Sequence, residues 1–152
     1  MAYDFFGIPV SELNVWLIWI LPFAAAMIIP AVGKFSKLTT GRVAVAFAAM
    51  SAISAATLFP MALGAHEIHH QIMWIDAIGL KAGVLADPLS VIMANVVGWI
   101  SFLIMCYSTG YMKGDKDITR FWFWMMFFIG SMQLIILSDN LLQVFFGWEG
   151  VG

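Results

Sequence analysis

The feature that most constrains this chain is a set of four uncharged apolar runs. Each is long enough to cross a lipid bilayer, which takes about 20 residues in helical form. None of them contains Asp, Glu, Lys, Arg or His. They cover residues 13–32, 43–64, 88–112 and 121–137. A fifth apolar stretch, residues 138–152, is too short for a crossing, and we interpret it as the first half of a fifth helix in a truncated chain.

The composition leads to the same class of protein. Of the 152 residues, 62% are hydrophobic and only 11% are charged, whereas soluble domains carry about 25% charged residues. The sequence therefore predicts an all-α fold, a polytopic transmembrane helix bundle embedded in a lipid bilayer. The net charge of −2, without a basic cluster, gives no support for a nucleic-acid partner. The single cysteine, Cys106, has no partner for an intrachain disulfide.

The distribution of Lys and Arg predicts the orientation of the chain in the membrane. Three basic residues fall between the first two runs, and three more fall between the third and fourth. The N-terminal stretch has none, and the loop over residues 65–87 has only Lys81. Because cytoplasmic loops carry the excess of positive charge, we expect the N-terminus outside and both basic loops in the cytoplasm. The inner residues are Lys34, Lys37, Arg42, Lys113, Lys116 and Arg120.

Helix-capping residues and aromatic residues mark the predicted span boundaries. Asp87 before Pro88 is a good helix start. Asp117 or Thr119 can cap the fourth span, and Asp139 or Asn140 can cap the fifth. Tryptophans and tyrosines lie where an aromatic belt at the membrane interfaces would place them. They are Trp16, Trp19, Tyr107, Tyr111, Trp122 and Trp124.

The outer loop holds the chain's three histidines, His66, His69 and His70, with Glu67 among them. His66 and His70 would be one turn apart on a helix, a spacing that can hold zinc. The metalloprotease pattern, however, needs two residues between the Glu and the second His, and only Ile68 stands there. We interpret the cluster as a polar turn at the outer interface. The following stretch, residues 74–84, is either a short hairpin or an interfacial segment.

Glu149 is the strongest candidate for a functional residue. If the fifth helix begins near Asp139, a rise of about 1.5 Å per residue puts Glu149 about 15 Å into a ~30 Å hydrocarbon core. No cation lies at that depth in this sequence, and burial would favour the neutral acid. Ionisable groups inside a membrane usually serve an ion or proton pathway. We therefore predict that Glu149 takes part in proton translocation, with Gly147 and Gly150 leaving room for water or a close helix.

Three other polar residues lie near this position. Ser131 and Gln133, in the fourth span, can line a hydrated path, but hydrogen bonding between helices is the better interpretation. Asp139 can act as an outer gate, although helix capping explains it fully. No phosphate-binding loop, CxxC pair or catalytic triad is present. We expect no cofactor and no metal in this chain.

From Asp87 onward the sequence resembles the large antiporter-like subunit of respiratory complex I, known as subunit L or chain 5. The block at residues 138–152, at its distance from the upstream blocks, is highly specific, whereas the first two spans match only by topology. The matching blocks are Asp87-Pro88-Leu89-Ser90, residues 107–112, Arg120-Phe121, Gly130-Ser131-Met132, Ser138-Asp139-Asn140-Leu141-Leu142 and Gly147-Trp148-Glu149-Gly150-Val151-Gly152.

The resemblance implies that residues 1–152 are the N-terminal part of a membrane subunit of a proton-pumping NADH (or related reduced-cofactor):quinone oxidoreductase. Glu149 matches the family's membrane glutamate on helix five, which pairs with a lysine on helix seven. That lysine lies beyond Gly152. The implied partners are the other membrane subunits and the missing C-terminal part of this subunit. The implied location is the plasma membrane, and no redox active site is expected in this chain.

Two other functions remain open at this point. The same region occurs in the large subunit of Mrp-type sodium/proton antiporters, and the sequence up to Glu149 does not separate the two classes. The chain can also be a structural fragment without transport activity. Since it offers one half of a carboxylate–lysine pair, we expect the isolated chain neither to oxidise a nicotinamide nor to move protons.

Overall fold

The computed structural model describes residues 4–5, 8–64, 66–76 and 79–152, with side chains from residue 12 onward. Residues 65, 77 and 78 of the predicted outer loop lie outside this description. The elements in chain order are β1 Asp4–Phe5, β2 Ile8–Pro9, α1 Val10–Gly33, α2 Lys37–Thr57, α3 Phe59–Leu63, β3 Ile68–Ile75, β4 Leu80–Ala86, α4 Pro88–Tyr111, α5 Ile118–Leu137 and α6 Leu141–Val151.

Four helical segments in the described part of the chain are long and apolar enough to cross a membrane. They correspond to the four predicted runs and confirm the helix bundle. The second begins at Lys37, before the apolar run that starts at 43, so Lys37 and Arg42 belong to α2 rather than to a loop. A hydropathy boundary marks where charges begin, whereas a helix can carry long basic side chains on its first turns, with their charged ends reaching water.

The bundle is held together by close approach between helices. The face of α2 that carries small residues is buried and packs against α1 and α4. α5 packs against α1 and α6. Small residues let helix backbones come near enough for dispersion contacts, which drive helix association in lipid. The buried α2 positions are Thr40, Gly41, Ala44, Ala48, Ser51, Ala52 and Ala55.

Ser51 supplies a hydrogen bond that Pro22 cannot make within α1. Pro22 lies inside α1 and has no N–H to give to the carbonyl of Ile18 one turn earlier. The Ser51 hydroxyl donates to that carbonyl oxygen at 2.6 Å, and Ser51 is 1% exposed. A backbone acceptor that would otherwise be unsatisfied in an apolar interior thus becomes a link between α1 and α2.

The segment between α3 and α4 forms a β-hairpin, one of the two structures that the sequence left open. β3 and β4 pair antiparallel from Ile68 opposite Ala86 to Ile75 opposite Leu80, with an irregularity between Met73 and Ile75. Val84 and Ala86 are buried in the same cluster as helix residues such as Ile18 and Leu137. The hairpin therefore closes one end of the bundle, a minor addition to an α-helical fold.

Candidate functional site

α6 begins at a cap supplied by Asn140. Its side-chain oxygen accepts a hydrogen bond from the Gln143 N–H at 3.0 Å, while its backbone is extended. This satisfies one of the N–H groups that a helix leaves free at its first turn. Of the two caps that the sequence allowed, Asn140 is the one used. Asp139 is left for a different role.

Two glycines set the distance between α6 and α5. A Cβ at Gly147 would lie 2.7 Å from Ile135 Cγ1 and 3.0 Å from the Ser131 carbonyl oxygen. A Cβ at Gly150 would collide with the Ser131 hydroxyl and lie 3.3 Å from Phe127 Cε1. The space that these glycines leave is filled by α5, so the close-helix interpretation is the correct one.

This packing fixes the depth of Glu149. Its neighbour Gly150 lies against Phe127 and Ser131, in the middle of α5. Counted from Leu141, at about 1.5 Å per residue, Glu149 is about 12 Å along α6, close to the predicted midplane position.

The side chain of Glu149 faces away from α5. At about 100° per residue, Glu149 is displaced by some 160° from Gly147 and 100° from Gly150 around the helix. Glu149 is exposed among the described residues. Among the described residues it has no side-chain hydrogen bond and no ion pair. α6 packs most closely against α5 through Gly147 and Gly150, and the Glu149 carboxylate lies on a side of α6 that α5 does not cover.

A cavity of about 850 Å³ adjoins Glu149. Its wall runs along α5 from Arg120 at the helix start to Phe128, and Asp115 and Asp117 of the α4–α5 turn also border it. The cavity therefore extends along α5 past the last residues of α6, Val151 and Gly152.

The two polar residues of α5 serve the packing of helices. Gln133 is fully buried, and its side-chain nitrogen donates to the Ala94 carbonyl on α4 at 3.0 Å. The Ser131 hydroxyl donates to the Phe127 carbonyl of its own helix at 2.9 Å. Gln133 therefore makes the expected interhelical hydrogen bond, and Ser131 forms part of the surface that receives Gly150.

Asp139 binds the hairpin, which the sequence did not reveal. Gln71 donates to its Oδ2 at 2.6 Å, and His69 Nε2 lies 3.1 Å from the same oxygen. Asn140 donates to its Oδ1 at 2.7 Å. Burial raises the pKa of the Asp139 carboxyl, but the hydrogen bonds from Gln71, His69 and Asn140 outweigh it, so its pKa lies below the ordinary value of 3.8. Asp139 is a satisfied structural carboxylate.

Gln143 makes a second link between α6 and the hairpin. It is 5% exposed, and its side-chain oxygen accepts from the Gly83 N–H at 2.8 Å and also from Asn140. A Cβ at Gly83 would collide with the Asp139 carboxylate. The strand can therefore lie against the start of α6 only because residue 83 is glycine.

His69 and His70 contact different residues. His69 faces Asp139, whereas the His70 ring accepts from the Trp16 indole N–H at 3.1 Å and lies 3.6 Å from Glu12. The helical spacing of His66 and His70 does not apply because His70 lies in β3, where neighbouring side chains point to opposite faces. Among the residues that the structure describes, no group of three or more His, Cys, Asp or Glu is suited to a metal ion.

The sequence carries a signal for only one side of the Asp139 contact. His69 and Gln71 alternate along a polar stretch with the spacing that puts two side chains on one face of a strand. Their partner is about 70 positions away in the sequence, and nothing local indicates that pairing.

Comparison with known proteins places the chain in a family. A sequence family described as "NADH-Ubiquinone oxidoreductase (complex I), chain 5 N-terminus" matches residues 73–122. NADH-quinone oxidoreductase subunit L of Rickettsia bellii is 38% identical over 141 residues, which are 90% of this chain and 22% of the relative.

Two further relatives agree. Subunit L of Mycobacterium tuberculosis is 35% identical over 145 residues, covering 90% of this chain and 23% of the relative. The chloroplastic NAD(P)H-quinone oxidoreductase subunit 5 of Spinacia oleracea is 33% identical over 147 residues, covering 90% and 20%. The chain thus spans about a fifth of the length of the curated relatives it matches. With its four membrane-spanning helices, it is a multi-pass membrane protein and belongs to the subunit L and chain 5 family of NADH-quinone oxidoreductases.

Proposed function

We propose that this chain contributes a proton-carrying carboxylate, Glu149, to a membrane subunit of a proton-translocating NADH:quinone oxidoreductase. The observation that carries the proposal is the position of Glu149 at mid-depth on α6, exposed and without a polar partner in the described part of the chain. A lone carboxylate costs free energy at that depth unless a neighbour or water serves it. The printed names of the relatives support the enzyme class.

The proposed partners follow from the same reasoning. The side of α6 that carries Glu149 faces the rest of the subunit, which supplies the group that changes its charge state. Other membrane subunits of the complex supply the electron-transfer reaction. This chain holds no redox cofactor in the proposal, and its own residues orient and isolate the carboxylate. Gly147 and Gly150 fix α6 against α5, and the outer hairpin fixes its start.

The proposed orientation places the N-terminus and the hairpin outside, and the α1–α2 and α4–α5 turns in the cytoplasm of a cell whose plasma membrane holds the complex. The basic residues at those two turns favour it.

The test uses the complete complex in vesicles. Glu149→Gln keeps the side-chain volume and removes the titrating group. We expect normal assembly and a sharp fall in proton pumping, with partial pumping in Glu149→Asp, whose carboxylate is one methylene shorter. Normal pumping by an assembled Glu149→Gln complex would contradict the proposal. The amount of assembled complex is measured in each membrane preparation.

A further inference from the structure

A second cavity, of about 770 Å³, lies between α2, α4 and α5 at the end of the bundle that carries the α1–α2 and α4–α5 turns. Four cationic side chains line it: Lys37 and Arg42 from α2, and Lys113 and Lys116 from the α4–α5 turn. We call it the cationic pocket. It is separate from the cavity beside Glu149, since Asp115 is the only residue that borders both.

The charge of the cationic pocket is not neutralised within the described part of the chain. The two ion pairs among the described residues both involve histidines of the hairpin, and neither includes a residue of the cationic pocket. Asp115 is the one carboxylate in the wall, and its Oδ1 accepts from the Asp117 N–H at 2.7 Å. Lys37 Nζ donates to the Lys116 carbonyl at 2.9 Å, which ties α2 to the turn without removing charge. An excess of positive charge therefore faces the cavity.

Neutral donors add to the cations. The cavity includes Lys37 and Leu38 at the start of α2, and the side chain of the N-cap residue Ser36 makes no capping hydrogen bond to a first-turn N–H. Helix N-termini favour anions because such N–H groups have no partner within the helix. Trp122 forms another part of the wall. It is fully buried, and its indole N–H has no acceptor among the residues described. A buried donor without a partner costs free energy, and a bound anion would remove that cost.

Apolar side chains lie beside the cations in the wall of the pocket. Leu38 is 67% exposed beside Lys37, and Ile118 and the Trp122 ring complete the apolar part of the wall. The pocket lies where α2 and α5 begin and α4 ends, which is the level of lipid headgroups. A ligand that fits carries a phosphate for the cations and an acyl chain for the apolar wall.

We propose that the cationic pocket binds the phosphate headgroup of an anionic glycerophospholipid. The four side chains hold the headgroup, and the lipid fastens the α4–α5 turn to the start of α2. This goes beyond the proton-translocating role, because Glu149 takes no part in the pocket.

The test measures which lipids remain bound to the purified complex. The complex is equilibrated in detergent with equal amounts of phosphatidylglycerol and phosphatidylcholine, and bound lipids are extracted and quantified. We expect phosphatidylglycerol to be enriched. Arg42→Gln should reduce its relative affinity about fivefold, the effect of one membrane-surface cation, and Arg42→Lys should restore most of it.

The matched control is Lys34→Gln, which removes one charge from the same end of the bundle but outside the pocket wall. It should leave phosphatidylglycerol enrichment unchanged. Equal retention in the wild type and Arg42→Gln, or an equal loss in Lys34→Gln, would overturn the proposal. Adding excess inorganic phosphate at constant ionic strength distinguishes a bound lipid headgroup from a bound soluble phosphate. Retained phosphatidylglycerol supports the lipid, and complete displacement shows a soluble phosphate site instead.

Discussion

Two carboxylates of the same segment, Asp139 and Glu149, have opposite surroundings. Asp139 lies before α6, with its side chain 3% exposed, and receives hydrogen bonds from Gln71 and Asn140 beside its contact with His69. Glu149 lies at mid-depth, is exposed, and has no polar partner in the part of the chain described. A carboxylate whose partners all lie within this chain contributes to the folding of the chain. A carboxylate that has no partner here is free to interact with another part of the protein.

The largest expected effect on stability comes from Asp139. Asp139→Ala removes the acceptor for Gln71, His69 and Asn140, and hydrogen bonds to a charged group are each worth about 1.5–3 kcal/mol. Because partial rearrangement will recover some of this, we expect a loss of about 2–3 kcal/mol in the free energy of unfolding, measured by thermal unfolding of the purified complex. The control Asp76→Asn, at an exposed position after β3, should have little effect.

The pH dependence of hairpin attachment follows from the same carboxylate. Its pKa is lower in the folded protein than the ordinary 3.8, so the ionised form is favoured by folding. The stabilisation is complete above that ordinary value and is lost as the pH falls through the lower pKa of the folded state. The thermal unfolding temperature of the purified complex should therefore fall as the pH drops below about 3.8 in the wild type and show a weaker acid response in Asp139→Asn.

A smaller effect is expected at the glycine contact near Glu149. Gly150→Ala places a methyl group against the Ser131 hydroxyl, and such overpacking typically costs about 1–3 kcal/mol. α6 should shift away from α5, with reduced thermal stability and reduced pumping. The double variant Gly150→Ala/Ser131→Ala removes the obstructing hydroxyl and should recover part of both. Equal defects in the single and double variants would show that the contact does not position α6.

The sequence predicts the spans well because a membrane helix requires a continuous apolar run, which is a local property. It misses the start of α2, since Lys37 and Arg42 end the apolar run without ending the helix. Asp139 is harder, because hairpin partners about 70 positions away determine its role. The position of Glu149 along α6 is predictable because it follows from counting along one helix. Glu149 is exposed because α6 packs against α5 through Gly147 and Gly150, and Glu149 lies on another side of α6.

The smallest effect is expected inside the bundle, where Ser51 compensates for Pro22. Ser51→Ala removes the hydrogen bond to the Ile18 carbonyl, and interhelical hydrogen bonds in membranes average about 0.6 kcal/mol. We expect a loss of that size in unfolding free energy, without change in pumping. If the double variant Pro22→Ala/Ser51→Ala, which restores the backbone N–H, showed no recovery relative to Ser51→Ala, the proposed repair would be wrong.

The most direct test compares the two carboxylates in one assay, as proton pumping per assembled complex in vesicles. Glu149→Gln should assemble normally and lose most pumping. Asp139→Asn should assemble in smaller amount, and each assembled complex should pump normally. The opposite result, with pumping lost per complex in Asp139→Asn and retained in Glu149→Gln, would contradict the assignment of a structural role to Asp139 and of proton translocation to Glu149.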